Sequence, residues 1–221
     1  MLAILGAYAR AISSPITMTN INPKHRHSTT ASRFDAAYYQ RYYRDPKTRA
    51  GTPASAKRQA AFVAGYLNHL EVPVRSVIDF GCGLGRTLRA LGRCYPKART
   101  QGIEYSDYLC RRYGWLQSSI ADYRGPVADL VVCVDVLSYL GDDECSRALQ
   151  VLARSCNTAA LISVVTAEDR TICDFDRTDR AQHMRPARWY RRRLHRHFEP
   201  LGGGLYLKKP LPVNLWTLDR R

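Results

Sequence analysis

Residues 128–140 (ADLVVCVDVLSYL) form the longest apolar run of the chain and are rich in β-branched side chains. Such a run fits a central parallel strand covered on both faces. Residues 74–80, 100–104 and 159–165 read as further strands, and 115–120 as another that leaves a turn at Gly114. Between them, apolar residues recur at helical spacing. Residues 86–95 carry Leu88, Leu91 and Cys94 on one stripe, 107–113 form a short helix, and a helix opened by Asp142-Asp143-Glu144 carries Ala148, Leu149 and Leu152. Acids suit the positive end of that helix's dipole. Alternating strands and helices predict one α/β domain built on a parallel sheet. Two helices precede the first strand. One spans 33–44 and stops at Asp45-Pro46, because the residue before proline avoids the helical region. The other opens at Thr52-Pro53, a cap followed by proline in the first turn. Residues 202–207 and 214–218 read as two closing strands.

The first strand runs into Asp79-Phe80-Gly81-Cys82-Gly83-Leu84-Gly85. Glycines suit a tight turn that a ligand approaches closely, since they tolerate positive φ. The helix start beyond offers free N–H groups to a polar ligand. The dinucleotide fingerprint needs a wider last spacing, G-x-G-x-x-G, which is absent here. Glu104 stands 19 residues past Gly85, at a strand end, placed to accept hydrogen bonds from ribose hydroxyls. A carboxylate there repels a 2′-phosphate and so disfavours NADP.

The strand followed by Asp79-x-Gly81-x-Gly83-x-Gly85 resembles motif I of the class I S-adenosylmethionine-dependent methyltransferases. Glu104 is similar to their motif II, and residues 128–140 resemble their fourth strand. The resemblance covers about residues 33–219. It implies a Rossmann-like, doubly wound seven-stranded sheet in the order 3-2-1-4-5-7-6, its last strand antiparallel, with S-adenosylmethionine as cofactor. By the same resemblance Asp79, Gly81, Cys82, Gly83 and Gly85 hold the methionine end. Glu104 with Tyr105 holds the ribose, Asp122 the adenine amino group, and Asp135, Val136 and Leu137 border the cofactor at the fourth strand's end. The (Asp/Asn)-Pro-Pro-(Tyr/Phe) tetrapeptide of base amino-methylating enzymes is absent, as is the Pro-Cys nucleophile of cytosine-C5 enzymes.

Two segments are candidates for the acceptor. In 33–44, Phe34, Tyr39, Tyr42 and Tyr43 can share one broad face. They suit packing, capping of an adenosine or substrate pocket, or base stacking. Many small-molecule methyltransferases have a similar aromatic N-terminal helix as a lid, which implies a lid over 32–72. The insert 173–193 offers His183 and Asp179 as candidate general bases. It also offers Arg185, Trp189 and Tyr190 as candidate acceptor contacts. Its TD…H…R…WYR pattern, with the FDAAYYQRYYRDPKTR and LCRRYGW stretches, is similar to bacterial members of the superfamily and brings no substrate with it.

Net charge is +15, unevenly spread: +8 over residues 1–76, −1 over 77–169 and +8 over 170–221. Basic flanks at the mouth of the site would favour an acidic acceptor. A small molecule is the first expectation, with RNA, protein or a non-catalytic nucleotide-binding module as alternatives. Nucleic acid is not favoured, since Arg191-Arg192-Arg193 with Arg196 reads first as a solvated helix face. Seven cysteines without a C-x-x-C pair suggest free thiols in a reducing, cytoplasmic setting and no metal site. No apolar run reaches the roughly 20 residues that span a bilayer. Residues 1–16 are mildly apolar, but Arg10 breaks the pattern of a signal peptide. Together with 17–31 they are expected to form a flexible tail.

Overall fold

The computed structural model describes residues 33–216, so the expected tail at 1–31 lies outside the described residues. Seven strands form one sheet: β1 (Ser76–Phe80), β2 (Arg99–Glu104), β3 (Leu116–Gln117), β4 (Ala128–Val134), β5 (Cys156–Ser163), β6 (Phe198–Gly202) and β7 (Leu205–Lys208). Their order is β3-β2-β1-β4-β5-β7-β6. The pairs β1–β2, β1–β4, β2–β3 and β4–β5 are parallel, and β7 runs antiparallel to both β5 and β6. This is the expected topology.

The apolar run at 128–134 serves two cores. Val131 and Cys133 face one side with Ile78, Phe80, Ala160 and Ile162. Leu130 and Val132 face the other with Val77, Ala159 and Leu161. Period-two alternation with both sides buried is what a doubly covered strand requires. The first face is closed by α5 (Asp142–Ser155) and α6 (Ala187–Leu194), through residues such as Leu149, Leu152 and Leu194. The second is closed by α2 (Pro53–His69) and α3 (Arg86–Cys94), through Val63, Leu67, Leu88 and Leu91, and the short α4 (Asp107–Tyr113) links β2 to β3. The α3 stripe differs from expectation at one end. Cys94 is exposed, because the helix stops there, and Ala90 takes its place in the core.

Two helix starts matter for the site. Thr52 caps α2 reciprocally with Ser55: Ser55 N–H donates to Thr52 Oγ1 at 3.0 Å, and Thr52 N–H donates to Ser55 Oγ at 2.9 Å. At the other end of the motif, α1 is only Ala36–Tyr39 and continues as a π-helical turn, Gln40–Arg44. A regular helix would pair Tyr38 with Tyr42 and turn Tyr43 away by about 100°; with the change of register all three border the same cavity.

Two sequence expectations move. The third strand ends at Gln117 rather than Ile120, and the chain turns through Ser118–Ser119. The closing hairpin is Phe198–Gly202 with Leu205–Lys208, turned by Gly203 and Gly204 in left-handed conformations. The expected strand at 214–218 is not one at 214–216, and its remainder lies outside the described residues.

Candidate active site

The glycine turn sits at the carboxyl end of β1, between β4 and β2. Gly81, Gly83 and Gly85 have φ of +67°, +55° and +67°. A Cβ on Gly81 would collide with the Val136 side chain, and one on Gly85 would meet the Trp115 ring. The glycines are therefore fixed by close packing as well as by backbone geometry. Trp115 Nε1–H also donates to the Gly83 carbonyl at 3.0 Å, pinning the turn from the β2 side.

Two carboxyl groups hold this turn. Glu104, 5% exposed, accepts from Gly83 N–H at 2.7 Å with one oxygen. Its other oxygen accepts from Tyr105 N–H at 2.8 Å and Ser106 N–H at 2.9 Å. Burial raises its pKa, opposed by those three N–H groups and by the Tyr39 hydroxyl. Asp79, 4% exposed, lies under the start of α3 and takes a hydrogen bond from the Leu88 backbone. Burial, with the nearby Glu104 charge, pushes its pKa up to about 8.

Asp79 is thus protonated at neutral pH in the folded chain. A raised folded-state pKa contributes stability that is fully present below the unfolded value near 4 and is lost as pH rises through 8. Between about pH 4 and 8, wild-type stability is therefore expected to fall relative to Asp79→Asn, by at most roughly 1.4 kcal/mol per pH unit. Urea unfolding of both proteins at pH 5 and pH 8 checks this. Parallel curves would contradict a neutral Asp79.

Two cavities meet at the turn. One, of about 360 Å³, lies below α1 and α2 and is bordered by Asp79, Gly81, Cys82 and Thr87 on the sheet side and Asp179 on the insert side. The other, of about 160 Å³, runs toward Glu104, Tyr105, Ser118, Ser119 and Ile120. Gly81, Gly83, Asp135, Tyr38, Tyr43 and Tyr139 border both. The wall between them is hydrogen-bonded: Tyr38 and Tyr139 hydroxyls are 2.9 Å apart, and Gln182 Nε2 donates to Tyr139 at 3.1 Å. Arg33 reaches across the mouth to Asp179 at 2.5 Å, tying the start of the described chain to the insert after β5. Asp179 also accepts from Ala181 N–H at 3.0 Å.

Several expected site residues border the cavities. Asp79, Gly81, Cys82 and Gly83 border the larger cavity, Glu104, Tyr105 and Val136 the smaller one, and Asp135 both. Gly85 lies one step behind, as the left-handed cap of α3. Others are corrected. Asp122 is exposed and borders neither cavity, since β3 ends early and Ser118, Ser119 and Ile120 occupy the position expected of it. Leu137 is fully buried in the core. Tyr39 borders the smaller cavity beside Glu104 rather than the larger one, where Tyr42 lies.

The insert departs most. His183 is exposed and borders neither cavity; its backbone N–H donates to Ser138 O at 2.7 Å, which fixes the chain there. Arg185 is 5% exposed but points into the protein. Its guanidinium bonds Asp142 at 2.7 Å, Tyr190 Oη at 3.2 Å, Leu137 O at 3.3 Å and Leu140 O. Trp189 packs under the Arg185 and Arg193 guanidinium groups, and Tyr190 is buried in the core. These three residues build the protein beside the site and do not line it. Sequence reasoning missed Tyr38, Tyr139 and Gln182; the helical spacing of Phe34, Tyr38 and Tyr42 was the signal for the first.

A family model described as a methyltransferase domain matches residues 36–203. The chain belongs to that family. It is a methyltransferase with the class I fold. Among solved structures, this methyltransferase is similar to magnesium protoporphyrin IX methyltransferase from Synechocystis PCC 6803 with bound SAH. The TM-score is 0.57 and the identity 16%, over 81% of this chain and 95% of that one. The plantazolicin methyltransferase BpumL in complex with SAH gives a TM-score of 0.53 at 14% identity, over 76% of each chain. An O-methyltransferase family protein from Burkholderia thailandensis gives 0.51 at 17% identity, over 71% of this chain and 57% of that one. No curated protein matches the chain. At these identities the structural likenesses speak for the fold.

The donor set fits the cofactor. A turn of three left-handed glycines presents its backbone to a cavity, and a buried carboxylate sits at the next strand end. Among the described residues no helix is long and apolar enough to cross a membrane.

Proposed function

We propose that the methyltransferase acts on a small molecule bound in the larger cavity, under α1. The observation that carries this reading is the shared wall: the cavity touches the glycine turn from Gly81 to Leu84 and also the insert at Thr178, Asp179 and Gln182. Cofactor and acceptor would meet across Asp135 and the Tyr38–Tyr139 pair. In this reading Asp79 and the glycine turn hold the methionine end of the cofactor, Glu104 the ribose, and the Ser118–Ile120 turn the adenine. When bound, S-adenosylmethionine supplies a methyl group already activated on sulfonium. What remains for the chain is to orient the acceptor and exclude water. The segment 32–72 serves as the lid, through α1 and the start of α2. Asp179 is tied to Arg33, which makes it a clasp for that lid rather than a free base.

The basic flanks support a macromolecular acceptor less well. The exposed arginines of α6 (Arg188, Arg191 and Arg192) border neither cavity. Seven free cysteines, five of them buried, support a reducing, cytoplasmic setting.

Incubation with methyl-labelled S-adenosylmethionine and separated small-molecule, protein and RNA fractions of a bacterial extract tests the proposal. Label should move into the small-molecule fraction. Label confined to RNA or protein would overturn it.

A further inference from the structure

Asp135 is the odd group of this site. It is one of two non-glycine residues with positive φ among those described, at +57°. Such a conformation persists only where the surroundings enforce it. Here the enforcing contact is the end of β4, where Asp135 N–H donates to Ser163 O at 3.0 Å. The result is a carboxylate placed where the two cavities join and exposed to them.

The other charged groups around the larger cavity already have hydrogen-bond or ion-pair partners. Arg86 spends its guanidinium on Gly51 O at 2.9 Å and Tyr43 O at 2.6 Å. Asp179 is paired with Arg33 at 2.5 Å. Arg177, at the rim, is paired with Asp174 at 3.3 Å. Asp79, almost fully buried, takes its hydrogen bond from the Leu88 backbone. The Asp135 side chain has no hydrogen-bond or ion-pair partner among the described residues. The side chains of Tyr38, Tyr42, Tyr43 and Tyr139 line the same cavity. Tyrosine faces attract cations, and more strongly where water is scarce. An unmatched carboxylate among four tyrosines is complementary to an ammonium group and repels a carboxylate or phosphate.

We propose that the larger cavity selects an amine acceptor, drawn in as its ammonium form against Asp135 and the tyrosine rings and passing one proton to Asp135 so that its nitrogen lone pair is free for methylation. This rests on the small-molecule methyltransferase reading and names the acceptor class. It reverses the expectation of an acidic acceptor, because Asp135 is the charged group of the cavity wall left without a partner among the described residues. Burial raises the pKa of Asp135 above the ordinary carboxylate range, and a bound cation would restore its charge.

The probe is tetramethylammonium chloride, titrated by calorimetry into protein saturated with S-adenosylhomocysteine, with tert-butanol and sodium acetate as neutral and anionic controls. Tetramethylammonium is expected to bind at least tenfold more tightly than either control. Asp135→Asn should lose at least tenfold of that affinity while holding S-adenosylhomocysteine within about threefold of wild type. Tyr42→Ala should weaken the probe several-fold and Tyr42→Phe should restore it, since the ring face and not the hydroxyl is used. Equal binding of the controls, or no binding of the probe, would overturn the proposal. So would competition between probe and S-adenosylhomocysteine, or loss of S-adenosylhomocysteine in Asp135→Asn, which would place the carboxylate on the cofactor. Failure of S-adenosylhomocysteine to bind wild type at all would instead strike the methyltransferase reading itself.

Discussion

Glu104→Ala should lower the affinity for S-adenosylhomocysteine about 100-fold, a loss of about 3 kcal/mol. The carboxylate accepts three backbone N–H groups, from Gly83, Tyr105 and Ser106. Hydrogen bonds to a charged acceptor contribute roughly 1.5–3 kcal/mol each. Truncation removes them together and also takes away the acid that faces the smaller cavity. Gly83, released from Glu104, would keep only its carbonyl contact with Trp115. Glu104→Gln keeps the volume and one acceptor oxygen, so it should lose only about tenfold. Calorimetry reads both affinities, and thermal unfolding alongside separates lost binding from lost folding. Unchanged affinity in Glu104→Ala would remove Glu104 from the site.

Arg185→Ala should destabilise the protein by about 2–5 kcal/mol with little direct effect on the cofactor. The guanidinium is the donor to the Leu137 and Leu140 carbonyls, the two ends of the turn between β4 and α5. Leu137 O would keep only the long bond from Leu140 N–H at 3.4 Å, and Leu140 O would lose its Arg185 donor; a buried carbonyl left without a donor costs roughly 1–3 kcal/mol. The bond to Asp142 adds little, because that carboxylate is 73% exposed. Across a domain of this size, such a loss lowers the Tm by roughly 10 °C. Arg185→Lys should recover only part of it, since one ammonium cannot match the planar fork. Differential scanning calorimetry checks the shift. Wild-type Tm combined with lost turnover would return Arg185 to the acceptor site.

These two residues show where sequence was readable and where it was not. Glu104 was legible because its role depends on distance along the chain: a glycine turn, one helix, and an acid at the next strand end. The sheet order was legible by resemblance for the same reason, since each strand carries a local signature. Arg185 was not. Its composition, an arginine next to aromatic residues in an insert, fits substrate binding and buried bracing equally. Only the fold shows that its partners are the carbonyls 45 to 48 residues earlier. Asp122 was misplaced because β3 is two residues long, and strand length at a sheet edge is weakly encoded. Tyr38, though missed, was legible, since it stands four residues after Phe34 and four before Tyr42, and helical spacing puts the three on one face; the π-helical turn after Tyr39 adds Tyr43 to them. His183 was attractive as the one histidine of the insert, but its side chain is exposed away from both cavities.

The central claim is that the Gly81–Gly85 turn and Glu104 form a site for S-adenosylmethionine. Calorimetric titration of the wild-type protein with S-adenosylmethionine, S-adenosylhomocysteine and NAD tests it most directly. Micromolar binding of the first two, with none of NAD, is the predicted result. Binding of NAD, or no binding of either S-adenosyl compound, would contradict it.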